Sequence, residues 1–360
     1  MTKKEKELFK QLVTPLKTKV DSTLIKYASA EVLGNIFYNR MQGVAFTNLK
    51  NSGLLSSVNR EFRNSLKAGF DVNCRKNECF FTCLNELYGI LKKYKIKASM
   101  LKGARLCSDY PKGCRTSSDI DLLIESKDVT ALGKVLKKEG FSQGKIVNGS
   151  FVPATRKDII ESKFLRGETV PYIKRTGNDF FEFFEIDLNF SLDYKNGDNK
   201  LIKKLIKSSV TKESGGAKII TLNDTDFFLH LCAHLFKEAT VLPWVKMKRD
   251  MTLYKYADIY LLLLKATDSE IFKIFKKAKD SGLEKECAFA ILQTAQLFGN
   301  KFGYAVLKAK EIYLENPDLL DTVISPSDKK SYIFKEKDIL KRFFLKNREK
   351  NLKEQIYEKT

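Results

Sequence analysis

Apolar residues recur at steps of three and four from residue 5 to about 97, as in Leu84, Leu87, Tyr88 and Leu91. That spacing puts side chains on one face of a helix. Pro15 and Asn51-Ser52-Gly53 interrupt the pattern with turns. Lys92-Lys93-Tyr94-Lys95 closes it with positive charge, which suits the negative end of a helix dipole. The period then changes. Ala98-Ser99-Met100-Leu101 is a short apolar run that ends in Lys102-Gly103, and Asp119-Ile120-Asp121-Leu122-Leu123-Ile124 alternates acid with aliphatic before filling with aliphatics, the pattern of a half-buried strand. A helix is expected over 127–139, with Gly140 where a C-cap glycine belongs. Residues 141–192 carry further strand-like runs, clearest from Phe180 to Phe190, and Asn196-Gly197 signals a turn. From 223 the helical spacing returns. Asn223, Asp224 or Thr225 caps a helix to about Lys237, another covers 249–265, Thr267 or Asp268 caps a third that ends at Gly282, and a fourth runs to about 299. Residues 330–360 read as a basic, weakly amphipathic helix or a frayed tail.

This layout predicts an α+β fold, a small mixed sheet between helical regions. The expected divisions are a helical region at 1–97 packing on the core, an α/β core at 98–222, a helical region at 223–330 shaping a cleft, and the basic segment at 331–360.

Composition narrows the class. A chain of 360 residues allows about two domains. Its 43% hydrophobic and 11% aromatic content excludes a mostly disordered chain. No apolar run approaches the ~18 residues that span a bilayer, and Met1-Thr2-Lys3-Lys4-Glu5-Lys6 lacks the apolar core of a signal peptide. Seven cysteines, an odd number, read as free thiols in a reducing cytoplasm. Cys74, Cys79 and Cys83 cluster as C-x4-C-x3-C, which lacks the second CxxC of a zinc site and reads better as buried helix thiols. The net charge of +21 points either to an anionic partner (nucleic acid, a nucleotide or an anionic membrane surface) or to no more than a lysine-rich composition.

Candidate chemistry lies in the centre. On a strand, Asp119 and Asp121 project to one face while Ile120, Leu122 and Ile124 project to the other. Two close carboxylates repel unless a cation sits between them, and Mg²⁺ takes such oxygens. Glu185-Ile186-Asp187-Leu188-Asn189 repeats the arrangement, so a neighbouring strand can supply Asp187 as a third acid. Upstream, Lys102-Gly103 precedes a short helix. Its glycine allows close phosphate approach, and Lys102, Arg105 and Arg115 supply cations for a polyphosphate.

The ordered set Leu101-Lys102-Gly103, Tyr110, Gly113-Cys114-Arg115 and Ser118-Asp119-Ile120-Asp121-Leu122, with the later Asp187-Leu188, resembles a bacterial, largely uncharacterised nucleotidyltransferase family of the DNA-polymerase-β-like superfamily. The resemblance covers roughly residues 25–265 and takes in His230, His234 and Asp258. It departs at Gly103-Ala104, where the superfamily has a glycine-serine or glycine-glycine pair, so that Ser118 or backbone amides must replace a phosphate-binding hydroxyl. It departs again at Asn189, often His in the family. The resemblance implies two Mg²⁺ ions on Asp119, Asp121 and Asp187, an NTP donor (ATP by default) held by Lys102, Gly103, Arg105, Arg115 and Ser118, and transfer of NMP to a small molecule, peptide or protein with release of pyrophosphate. The alternatives are transfer to an RNA 3′ end, which the charge favours, and a non-catalytic nucleotide-binding module.

Several residues carry two readings. His230 and His234 share a helix face and can bind metal, pack and hydrogen-bond, or serve the acceptor side of the site together with Asp258. Lys255 can reach a triphosphate or sit solvated, and Tyr256 can stack on a base. Trp244 reads as a packing anchor, and the basic-aromatic stretch 341–348 as a nucleic-acid contact or a surface helix rather than a membrane anchor.

Overall fold

Capping chemistry sets the first helix boundaries. Thr2 and Glu5 form a capping box at the start of α1 (Lys3–Val13), and Ser29 caps α2 (Ala30–Tyr38). Helix α3 (Gln42–Asn51) follows, and Asn59 accepts from the Phe62 amide to start α4 (Arg60–Lys93). The long helical region of the sequence is therefore four helices and a 3-10 turn at Ser22–Tyr27. The computed structural model describes residues 1–17, 19–191, 199–299 and 302–355, so the expected Asn196-Gly197 turn lies outside the described residues. The chain divides into two compact units, Met1–Phe227 and Phe228–Thr360.

After α4, the first unit continues through β1 (Ala98–Met100), α5 (Gly103–Asp109), β2 (Asp119–Ile124), α6 (Val129–Lys138), β3 (Ser142–Val147) and β4 (Ser150–Pro153). Next come α7 (Arg156–Arg166), β5 (Tyr172–Arg175), β6 (Phe183–Asn189), α8 (Asn199–Lys207), β7 (Val210–Ser214) and β8 (Ala217–Thr221). The strands form one sheet in the order β4-β3-β5-β6-β2-β1-β8-β7. Pairs β2–β6 and β1–β8 are parallel and the others antiparallel, so the sheet is mixed. One sheet face, including Ile120, Leu122, Ile124, Ile186 and Leu188, packs with Leu84 and Leu87 of α4 and Leu132 and Leu136 of α6. Burial of this aliphatic face leaves the opposite parity of β2 and β6 for chemistry.

Helix α9 (Asp224–Thr240) starts at Asn223, whose Oδ1 accepts from the Asp226 amide. The second unit continues with α10 (Leu242–Lys246), α11 (Leu253–Lys265), α12 (Asp268–Ser281), α13 (Glu284–Phe298) and α14 (Gly303–Glu315). Thr267 caps α12 in a capping box, and Gly282 ends it in the left-handed conformation. The C-terminal segment differs from its expectation. Residues 330–355 hold β10 (Lys330–Phe334), α15 (Ile339–Phe343) and β11 (Leu352–Glu354), and β10 lies between β9 (Thr322–Ser325) and β11 in a three-stranded sheet. Tyr332, Ile333 and Phe334 favour a strand, and pairing with Thr322–Ser325, far from the basic run in local pattern, selects it. The basic residues of the segment are partly internal. Arg348 makes two hydrogen bonds to Asp250, at 2.7 and 2.8 Å, and buried Arg342 bonds Asp321 at 3.0 Å. Tyr256 is fully buried with its hydroxyl donating to the Asp250 carbonyl, so it belongs to the core and offers no base platform. No described helix is long and apolar enough to cross a membrane.

Candidate active site

The parallel pairing of β2 with β6 sets the site. Asp119 lies opposite Glu185, and Asp121 lies opposite Asp187. Partners across a ladder share a face, so four carboxylates gather on the side of the sheet away from the aliphatic core. Asn189, one pleat further along β6, donates to Asp121 Oδ1 at 3.2 Å. Strand β1 runs antiparallel beside β2, and the Leu101 amide donates to the Asp121 carbonyl at 2.9 Å. This places Lys102, the next residue, at the acids, and its Nζ meets Asp121 Oδ1 at 2.8 Å. Lys102 takes φ 43° and ψ −116°, a costly backbone conformation for a residue with a Cβ, at the cap of α5.

The electrostatics follow from crowding. Burial, then the Asp121 charge, pushes the Asp119 carboxyl up; Lys102, Ser117 and Arg115 oppose that. Burial and the charges of Asp121, Asp119, Glu185 and Glu168 push Asp187 well above the carboxylate range. Glu185 is pushed up to about 7 by burial and by Asp119 and Asp121. Burial alone would lower the Lys102 ammonium, but Asp121, Asp119 and Asp187 outweigh it and raise it. The site thus holds more negative charge than its own cations neutralise.

Glycines seat the loops around the acids. A Cβ on Gly103 would overlap the Ser117 side chain, whose hydroxyl donates to Asp119 at 3.0 Å. Gly113 has φ 77°, and a Cβ on Gly43 of α3 would collide with its carbonyl oxygen. That carbonyl also accepts from Asn73 of α4 at 2.9 Å. The N-terminal helices therefore hold the loop that carries Arg115 toward Asp119.

The candidate residues separate into three groups. Asp119, Asp121, Asp187, Lys102 and Gly103 come together, and Arg115 is close enough for its charge to act on Asp119. Arg105 is turned elsewhere: it pairs with Asp224, lies 3.6 Å from Asp109, and stacks on Phe227. Ser118 is exposed, and the hydroxyl that reaches Asp119 belongs to Ser117. Within the second unit, Lys255 pairs with Glu238, which also lies 3.6 Å from His234. His230 stacks on His234 at 6.4 Å between ring centroids, and His230 and Asp258 are buried. Sequence reasoning missed Ser117, Glu168 and Glu185 as site members. The alternation of β6 already put Glu185 on the face of Asp187, whereas Glu168 lies outside the named strands and is brought beside β6 by its bridge to Asn189.

Among the described residues, no three His, Cys, Asp or Glu side chains converge as a ready metal cage. The donor set nevertheless suits a hard dication: several carboxylates repel one another, and Asp121 already holds a cation in the form of Lys102. The seven cysteines are free; on α4, burial pushes the Cys83 thiol up to about 12.

Residues 30–299 match a family model described as an uncharacterised nucleotidyltransferase. All the acids of the site lie inside that match, and α14 and the three-stranded sheet lie beyond it. A solved structure, an antigenic nucleotidyltransferase-like protein from Paracoccidioides brasiliensis, is similar over 68% of this chain and 91% of its own, with TM-score 0.36 and 13% identity. No curated protein matches the chain.

Proposed function

Because the chain belongs to this uncharacterised nucleotidyltransferase family, we propose that it moves NMP from an NTP, with ATP as the default donor, to a hydroxyl on a small molecule, peptide or protein, releasing pyrophosphate. The observation that carries this reading is the register Asp119↔Glu185 and Asp121↔Asp187 with Lys102 at Asp121. Asp119, Asp121 and Asp187 would hold Mg²⁺, which supplies charge neutralisation at the triphosphate and a lower pKa for the attacking hydroxyl. Lys102 then exchanges its carboxylate partner for donor phosphate, and Arg115 offers a second cation beside Asp119. Gly103 leaves room for a phosphate to approach the backbone. Asp187 takes the proton of the acceptor hydroxyl as that oxygen bonds to the α-phosphorus. The bond from the α-phosphorus to the bridging oxygen breaks, and its electron pair leaves with pyrophosphate. Positioning and charge do most of the work.

Incubating the full chain with Mg²⁺, α-labelled NTPs and fractions of metabolites, peptides and proteins should release pyrophosphate and label an acceptor. Asp119→Ala and Asp121→Ala should each abolish both signals. Activity that survives Asp121→Ala overturns the reading, and nucleotide binding with no turnover on any acceptor points to a binding module. An RNA 3′ hydroxyl is a second acceptor reading, favoured by the net charge of +21.

A further inference from the structure

Helix α8 carries Lys200, Lys203, Lys204 and Lys207, and these fall within one ~100° arc at the 3.6-residue period. All four are exposed, and the helix contains no acidic residue. Lys203, Lys204 and Lys207 make no ion pair among the described residues. The opposite side of the helix, Ile202, Leu205 and Ile206, is buried. Helix α8 packs against β2, the strand of Asp119 and Asp121.

The strand parity fixes which side of the sheet α8 covers. Leu123 has the parity of Asp119 and Asp121, is fully buried, and lies outside the core of the opposite face. Ser99 of β1 sits opposite Leu123 in the ladder, and its hydroxyl bonds that of Ser209, two residues past α8. The helix therefore lies on the acid side of the sheet, and the chain just past its C-terminal end meets β1 opposite Leu123, one pleat, about 7 Å, from Asp121. From Lys200 to Lys207 the face runs about 10 Å, long enough to meet more than one phosphate of a nucleic-acid strand.

We infer that the lysine face of α8 binds the phosphate backbone of a single-stranded nucleic acid and leads its 3′ end toward the acids. A face of lysines alone, without a planar arginine fork, suits phosphate contacts that do not depend on base sequence. A membrane surface fits poorly, because the apolar side of α8 is already buried and has nothing to insert. Only the fate of the 3′ hydroxyl rests on the transferase reading; binding does not.

The test is fluorescence anisotropy of the full chain with labelled 20-residue RNA and single-stranded DNA across a salt series, without NTP. The triple variant Lys203→Glu, Lys204→Glu, Lys207→Glu is compared with Lys273→Glu, Lys276→Glu, Lys279→Glu, an equal charge change on exposed lysines of α12. Three lost contacts at a slope of about 0.7 each should reduce the salt dependence by about 2 and the affinity at 0.1 M salt by about 100-fold. The α12 variant should stay close to wild type. A triple Lys→Ala version, with melting curves for every variant, covers misfolding of the charge-reversed helix. Equal weakening by the α8 and α12 variants, or no binding by the wild type, overturns the proposal. So does displacement by polyglutamate as effective as by unlabelled RNA or DNA, which would make α8 an acidic-protein site. Binding that depends on α8, with no NMP added to the bound strand once Mg²⁺ and NTPs are supplied, would remove the nucleic-acid 3′ end as acceptor and leave the binding proposal standing.

Discussion

At the scale of single residues, two neighbours do most to define the site. Lys102 reaches Asp121 from a strained backbone, and Gly103 touches Ser117 where any side chain would intrude. Gly103→Ala should displace Ser117 and, through it, Asp119. A misplacement of about 1 Å at reacting groups costs about 100-fold in rate, so NMP transfer should fall by that order while the melting temperature moves little. Glu185 gives a prediction in pH. Its carboxyl, ordinarily near 4.5, is pushed up to about 7 in the fold by burial and neighbouring acids. The folded state therefore keeps a proton that the unfolded state gives up, and this contribution to stability is lost as pH rises between those values. Without divalent ions, Glu185→Gln should stabilise the chain more at pH 8 than at pH 5, read as the difference in melting temperature from wild type. An equal difference at both pH values would remove Glu185 from the acid cluster.

At the scale of elements, the parallel register of β2 and β6 turns two local patterns into one cluster. The alternation in each strand was legible in sequence, because a side chain's face depends only on parity. Which strands neighbour each other was not, because α6, β3, β4, α7 and β5 intervene between β2 and β6 in the chain. The loop from Pro111 to Arg115 shows the same division. Its glycine reads as a turn, but its anchors, Gly43 and Asn73, lie on helices some 40 or more positions away. Gly43→Ala forces α3 and this loop apart. It should cost about 1–3 kcal/mol in a denaturant melt, as overpacking does, and lower NMP transfer by moving Arg115. A variant as stable and active as wild type would show that α3 does not position the loop.

At the scale of the whole molecule, the excess charge divides into different uses. Lys102 and Arg115 face the acids, Arg105 is engaged by Asp224, and Lys203, Lys204 and Lys207 of α8 are exposed. In the second unit, Arg348 and Arg342 are internal fasteners for the segment after residue 330. Arg348→Ala leaves Asp250 buried with no guanidinium. Breaking a buried pair from one side costs about 3–5 kcal/mol, so the melting transition of Phe228–Thr360 should fall sharply. A shift within error would place that pair in solvent instead.

The sequence by itself determined the helix starts near Asn223 and Thr267, the strand faces of 119–124 and 183–189, and the resemblance to the nucleotidyltransferase family whose model matches. These depend on neighbours within a few positions, where propensity, period and hydrogen-bonding side chains act directly. Only the tertiary structure decided that Ser117 rather than Ser118 reaches Asp119, that Arg105 turns to Asp224, that Tyr256 is core, and that 330–355 builds a sheet. Each of these rests on a partner distant in the chain. A long side chain goes to whichever opposite charge, aromatic face or unpaired strand edge the packed fold brings within reach.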